Sequence, residues 1–598
     1  MKYILSFLCF IFLSQLLFGQ IRVSITYPEN NLVDTNIATV HATVTPGEYE
    51  ITSVIATIDN RSVSLINIGP YFQGNLSTSG LIIGNTYVLT VTATDAVGNQ
   101  ATATKNVIVD PPPKINIQLP VNHEVATPKV HIQAAASDNS VCSVVVRVGL
   151  YDYVNDWMNR QIYLDTFINS VDTIIDLTSS WSEGTQGYIT FTAIDSRAQQ
   201  NSSNREIFVE SSPYLEKVFS TEGIIKDFNY GKVLSYFVTN QPDNNRNSII
   251  TDINTSAVSV IPATIYNYNL SGAYGNLTPE GAVFFDGNNN RALMDWNNGS
   301  LYSLGQAGSS SLYIAGSYAI WSGVYPNSSS NLYLRNTTTR STQQISTVAG
   351  NNENGIAANG TVAYWSNSMP NPADNGIYRY ANGITTRIGG GVYPLTDGRL
   401  IVWGGTLFDG STNISLGAST TSNDYAYRVS NGFVAYCKTG TSGTDQIWLR
   451  DTTGASSQIT FYSTSSQLDV LAPNGSFSFN RNQSNSWRYL YDRNSNKFKA
   501  LAYSPFGKMY YQDSVWYMSV GRVLYKINPN FINSYFSVKD GNWSNPATWY
   551  GNTVPPIGAD VTLGNNVNVD IDATCNTLTV KSNALVTINA GINLTVLH

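Results

Sequence analysis

The chain is 598 residues long, room for about four domains at roughly 150 residues each. Only 12% of its residues are charged, and 40 acidic side chains outnumber 33 basic ones, for a formal net charge of -7. With no cluster of Lys and Arg to neutralise phosphates, that balance excludes broad polyanion binding, and with it nucleic acid.

Low charge combined with abundant aromatic and β-branched residues suits sheets rather than helices or disorder. After the first twenty residues no long segment carries apolar residues at helical spacing. The chain therefore reads as all-β: two β-sandwiches, a seven- or eight-bladed β-propeller and a short C-terminal β-solenoid-like segment.

Residues 1–20 open with Met1-Lys2, run apolar from Ile4 to Phe18 and end in Phe18-Gly19-Gln20. The run is too short for a span of about 20 apolar residues, and Gly19 supplies the small residue that a signal peptidase needs. We read a secretory signal peptide cleaved near Gly19/Gln20, with no later transmembrane segment, and a mature protein secreted or held on the outer cell surface. Cys9 lies inside the apolar run. Cys142, Cys437 and Cys575 fall in three separate segments and form no local disulfide framework, so each reads as a small buried apolar residue.

Residues 21–111 alternate short apolar runs with turn residues, as in Val23-Ser-Ile25, Val54-Ile-Ala-Thr-Ile58 and Tyr87-Val-Leu-Thr-Val-Thr-Ala93. Six or seven such strands in this span predict an antiparallel sandwich. The run that ends in Asp95-Ala-Val-Gly-Asn99 resembles the last hairpin of bacterial immunoglobulin-like and fibronectin type III-like modules. Asp95 and Asn99 are oxygen ligands that calcium could use, and a hydrogen-bonded turn is the simpler reading. Pro111-Pro-Pro113 makes a stiff joint. Residues 112–213 repeat the pattern: Ile115-Asn-Ile-Gln-Leu-Pro120 mirrors Val23-Ser-Ile-Thr-Tyr-Pro28, and Gly187-Tyr-Ile-Thr-Phe-Thr-Ala-Ile-Asp195 mirrors the closing hairpin. Two tandem sandwiches on a rigid joint suggest a spacer, with Tyr151, Tyr153 and Trp157 as aromatic residues for loop-tip binding or for packing within a long hairpin.

Across residues 214–530 one pattern recurs eight times, at Gly231, Gly281, Gly316, Gly360, Gly398, Gly432, Gly475 and Asp513. Each copy starts at a turn residue and continues as an alternating aromatic and β-branched strand, of which Gly360-Thr-Val-Ala-Tyr-Trp365 is the clearest. Spacings of about 34 to 50 residues fit four-stranded propeller blades. The run Ala435-Tyr-Cys437, Gln446-Ile-Trp-Leu-Arg-Asp451 and Gln458-Ile-Thr460 resembles the blades of TolB-like propellers. The strand at Glu216-Lys-Val-Phe219 is expected to complete the last blade, since closure removes exposed edges. Trp321, Trp365 and Trp403 share one strand position, which marks them as packing between blades rather than a row of sugar-stacking sites.

Residues 531–598 pair Trp543 with Trp549, then continue in valine-rich strands at roughly ten-residue spacing, including Val567-Asn-Val-Asp-Ile571 and Leu578-Thr-Val580. Such rungs suit a stacked solenoid. The pattern resembles the extracellular domain named for its eight glycines, a resemblance that implies a surface protein. A solenoid needs its end covered, so these rungs either pack on the propeller or continue beyond the chain.

No constellation here singles out a reaction. The four histidines, His41, His123, His131 and His598, all lie outside the propeller, which removes His-ligated metal and triad chemistry from it. Glycoside hydrolysis needs only a carboxylate pair, and Asp286, Asp295, Glu353, Asp374, Asp397 and Asp424 are available, although no spacing selects two of them. Asp286-Gly-Asn-Asn-Asn290 and Asp492-Arg-Asn-Ser-Asn496 carry alternate oxygen ligands but lack the rest of a calcium loop and read as hairpin turns. No catalytic, cofactor or metal residue is therefore assigned, and structural calcium is the one cofactor these loops could hold. The expected function is an exported, non-enzymatic platform for adhesion or for binding an extracellular glycan or protein. The alternative is a secreted polysaccharide-degrading hydrolase or lyase that works through a carboxylate pair.

Overall fold

The computed structural model describes residues 20–598 except 127–128, 151–159, 178–185, 211, 222, 239–245, 262–276, 286–289, 297–298, 307–312, 325–329, 347–353, 367–371, 419–425, 441–442, 482–486 and 504–506. The signal-peptide stretch and the loop holding Tyr151, Tyr153 and Trp157 lie outside the described residues. The protein is all-β; the described helices are single 3-10 turns such as Pro546–Thr548. Among the described residues no helix is long and apolar enough to cross a membrane.

The N-terminal part folds as two sheets, one ordered Arg22–Tyr27, Ile37–Thr45, Phe72–Ser77 and Ile66–Asn67. The other is ordered Leu32–Val33, Gln100–Val109, Thr86–Asp95, Ile51–Ile58 and Arg61–Ser64. Alternation puts Val40, Ala42 and Leu76 from the first sheet against Val54, Ala56, Leu89 and Val91 from the second in one buried core. The next part repeats the plan with a core of Val130, Ile132, Val144, Val146, Ile189 and Phe191. The likeness extends to the first strand of each part, where the ladder slips at Ile25/Tyr27 and again at Ile117/Leu119. It also extends to the closing turn. Asp95 Oδ1 accepts from the Val97 and Asn99 amides, and Asp195 Oδ1 accepts from those of Arg197 and Gln199.

Asp110, just before the prolines, is almost fully buried and reaches into the second part. It pairs with Arg197 at 2.8 Å and accepts from Asn139 and Gln199. The joint is thus held by a polar clasp as well as by proline stiffness.

From Leu215 to Ile527 the described residues form eight sheets, each made of successive antiparallel strands. The second sheet shows three strands, Gly281–Phe285, Asn290–Asp295 and Leu301–Gln306, with Leu277 bridged to Ala282 on its open side. Seven of the eight copies supply a strand flanked by neighbours within its sheet, and Gly281–Phe285 is the outer described strand of its own. Successive sheets share buried contacts. Leu234 and Ile250 meet Ala282 and Met294, Ile320 and Leu334 meet Val362, Ala363 meets Ile401 and Trp403, and Ala435 meets Phe477. Phe228 and Val233 of the first sheet pack on Tyr510 and Leu524 of the eighth, so the sheets close a circle. Leu215–Ser220 pairs antiparallel with Val523–Ile527 in the eighth sheet. The chain therefore enters the circle through the sheet by which it leaves, as expected from the closure argument.

The C-terminal strands pair in parallel, unlike everything before them in that region. Ser534–Phe536, Ala559–Leu563, Ala573–Val580 and Leu594–Val596 form one ladder; Gly541–Asn542, Val567–Val569 and Val586–Ile588 form the other. Trp543, Trp549, Val561, Leu563, Val567 and Val569 fill the space between them. The first rung is covered by the last sheets of the circle through Tyr214, Phe536 and Tyr550. The second sandwich-like part also lies on the eighth sheet. Phe208 and the His123 carbonyl approach Gly521 so closely that a side chain there would clash. The spacer expected from the sequence is thus shorter than two modules, because the second one is seated on the circle.

Candidate functional site

Of the described candidate carboxylates, Asp295 and Asp397 are engaged in contacts between sheets and Asp374 is not. Asp295 is fully buried and bound by Arg340, whose Nε also lies 2.9 Å from Glu280. This triad bridges the second and third sheets; burial raises the Glu280 carboxyl, and the pull of Arg335 and Arg340 offsets only part of that rise. Asp397 accepts from the Arg399 and Leu400 amides, and its other oxygen accepts from the Gly432 amide at 2.6 Å. It staples the fifth sheet to the sixth. Asp374 is exposed in a 3-10 turn. Asp286, Glu353 and Asp424 lie outside the described residues. Asp492 caps its own hairpin through the Ser495 amide and hydroxyl, which is the geometry of a turn. Among the described residues no three His, Cys, Asp or Glu side chains gather as a metal site would require.

The tryptophans sit where their shared strand position places them. Trp321 and Trp403 are almost wholly buried and Trp365 is half-buried. Cys142, Cys437 and Cys575 are buried free thiols, and burial pushes Cys437 up to about 12, which keeps it protonated and unreactive.

Two features escape a reading by motif. The first is Lys499, buried where the seventh sheet meets the C-terminal rungs. Its ammonium donates to the Phe531 and Ser534 carbonyls and lies 3.4 Å from the Tyr535 ring centroid and 4.6 Å from that of Tyr214. Burial pushes its pKa down to about 7, against the pull of those carbonyls and ring faces. The folded value lies below the 10.5 of a free lysine, so this group lends stability above the unfolded value that is lost as pH falls toward 7. The melting temperature of the wild type should therefore rise relative to that of Lys499→Met from pH 7 to pH 9. A flat difference would show that the carbonyls and rings fully offset burial.

The second feature is a pair of cavities lined by aromatic rings, neutral polar groups and a few charged side chains. One, of about 550 Å3, lies beside the junction and is lined by Trp487, Phe536, Tyr550, Asn565 and Lys581. The other, of about 400 Å3, opens between the seventh and eighth sheets under the connector that follows Ile527. Tyr511 and Trp516 line it, edge to face, with centroids 4.9 Å apart. Both volumes are of the size that small ligands occupy.

No family model matches the sequence, and a search of curated proteins returns no match. Solved structures do. Fibronectin(III)-like modules of Clostridium thermocellum CbhA share 18% identity over 32% of this chain and 94% of theirs, at a TM-score of 0.20. TolB from Acinetobacter baumannii shares 13% over 58% of this chain and 77% of its own, at 0.24. A chain from a study of host cell surface retention of a bacterial ice-binding adhesin shares 11% over 48% of this chain and 95% of its own, at 0.16.

Proposed function

We propose that this chain is an exported, non-enzymatic surface or extracellular protein that presents an eight-bladed β-propeller as a binding platform for a glycan or protein. Residues 1–20 act as the cleaved signal, residues 21–111 and 112–213 as immunoglobulin-like modules, and residues 531–598 as an eight-glycine-type rung segment. The observation that carries the binding reading is that two ring- and amide-lined cavities lie at rigid joints between sheets. Meanwhile the described candidate carboxylates Asp295 and Asp397 are tied into contacts between sheets. The build supports a scaffold, since the second module and the rung segment are both packed on the last sheets of the circle.

A glycan and protein-ligand array run beside a reducing-sugar release assay tests this reading. Binding without release is the expected result; release that disappears when Asp295 is replaced would overturn it in favour of a hydrolase. N-terminal sequencing of protein recovered outside the cell should find a start near Gln20.

A further inference from the structure

We infer that the cavity between the seventh and eighth sheets is a binding site for an uncharged saccharide, with Trp516 and Tyr511 as the stacking surface. This inference rests on the binding reading above and names its site and ligand class.

The argument begins with a break in the repeat. At six turns of the circle a glycine takes the left-handed conformation: Gly231, Gly316, Gly360, Gly398, Gly432 and Gly475, with φ from 53° to 102°. Neighbouring groups crowd each of them. A Cβ on Gly360 would lie 2.8 Å from the Tyr318 ring, on Gly398 2.5 Å from Asn359, and on Gly475 2.9 Å from Phe433. In each of these three cases the crowding residue belongs to the preceding sheet, so glycine lets adjacent sheets close on one another there. The eighth sheet departs from this. Its turn is Asp513-Ser514, at φ of 49° and 64°, held left-handed without glycine. Ser514 is exposed and lines the cavity, as do Asn474 and Ser476 from the corresponding turn of the seventh sheet. The space between these two sheets is open, and its rim keeps a left-handed non-glycine residue.

The lining defines the ligand class. Trp516 and Tyr511 are half-buried, with ring surface left for contact. Asn474, Asn494 and Asn530 supply amides that both donate and accept, and Ser514 adds a hydroxyl. One cation, Lys526, and one anion, Asp492, also line the space, so charge selects neither an acidic nor a basic ligand. A sugar ring presents C–H groups to an aromatic face and paired hydroxyls to amides. The volume of about 400 Å3 is at the lower end of the range small-molecule sites occupy, enough for a short saccharide. The walls are set beforehand. The connector is pinned by the Asn528 amide on the Tyr214 carbonyl, the Phe531 amide on the Asn528 carbonyl and the Asn530 amide on the Asn528 side chain. Little ordering is left for the ligand to drive.

The test is an array of neutral and anionic glycans probed with the mature full chain, followed by calorimetric titration of the strongest neutral oligosaccharide. Trp516→Ala and Tyr511→Ala should each weaken binding at least about tenfold, as loss of a central aromatic anchor does. Ser514→Gly should weaken it while the protein melts no lower than wild type, because glycine accepts the same turn without strain. Trp516 also touches the core, so melting curves must accompany each variant, and Tyr511→Ala and Ser514→Gly decide the matter if Trp516→Ala unfolds. Wild-type affinity in folded Tyr511→Ala and Ser514→Gly overturns this site but leaves the platform standing. Protein ligands bound with no neutral glycan overturns the saccharide class, and binding confined to anionic glycans does the same.

Discussion

Trp403→Ala should lower the stability of the circle of sheets by about 3–5 kcal/mol, as expected for deleting a buried tryptophan. The ring is 2% exposed and wedged between the fourth and fifth sheets with Ala363, Ile377 and Ile401. Its Nε1 donates to the Gly390 carbonyl at 2.7 Å, a partner that alanine cannot replace. The backbone has been shaped around this side chain: a Cβ on Gly391 or Gly389 would lie 2.3 or 2.7 Å from the indole. The fourth sheet's last strand therefore runs directly across the ring face, and its removal leaves a void that rigid ladders on both sides cannot fill. Trp365→Ala, at the same strand position one sheet earlier but half-buried, should cost clearly less. Urea or thermal unfolding followed by circular dichroism reads both. Equal losses would show that shared strand position, rather than depth of burial, sets the contribution.

The contrast between these two tryptophans also shows what the sequence can convey. Period-two alternation with a turn residue every few strands is a local property, and it located each sheet of the circle and the strands that share its core. The entry strand at Leu215–Ser220 was legible for a related reason, since an unpaired edge in the last sheet demands a partner. The parallel rungs were legible from their short valine-rich spacing. Contacts between units were not, because they join residues far apart in the chain. Asp110, next to the prolines, is a buried clasp on Arg197 and Gln199, about ninety residues further along the chain. Lys499 is enclosed by two tyrosines and two carbonyls from other segments of the chain. The cavity between the last two sheets had one visible sign, the loss of the turn glycine at Asp513-Ser514. That sign acquires meaning only once the neighbouring sheet is known to leave the space unfilled.

Tyr214→Ala should free the C-terminal rungs from the circle, at a cost of about 3–5 kcal/mol for removing a large, fully buried aromatic side chain. Tyr214 is 1% exposed and stands where three parts meet. Its ring takes edge contacts from Phe531, Phe536 and Tyr550 at centroid distances of 6.2, 5.4 and 5.4 Å. Its hydroxyl donates to the Ser534 carbonyl at 3.0 Å, and the Lys499 ammonium lies over its face. Only one of these contacts depends on the hydroxyl, so Tyr214→Phe should cost no more than about 1 kcal/mol and keep the junction shut. In alanine the Lys499 ammonium loses one of its two rings and water reaches the site, which raises the pKa that burial had lowered. The rungs retain their own core around Trp543 and Trp549, so the change should appear as a hinge opening rather than as general unfolding. Limited proteolysis read by mass spectrometry should show new cleavage between Asn528 and Ser537 in Tyr214→Ala, with the circle left intact. Cleavage at the same rate in wild type, Tyr214→Phe and Tyr214→Ala would mean that the aromatic cluster does not hold the junction. The rung segment would then stay in place through its other contacts, including Lys499 and the Trp487–Tyr550 edge contact.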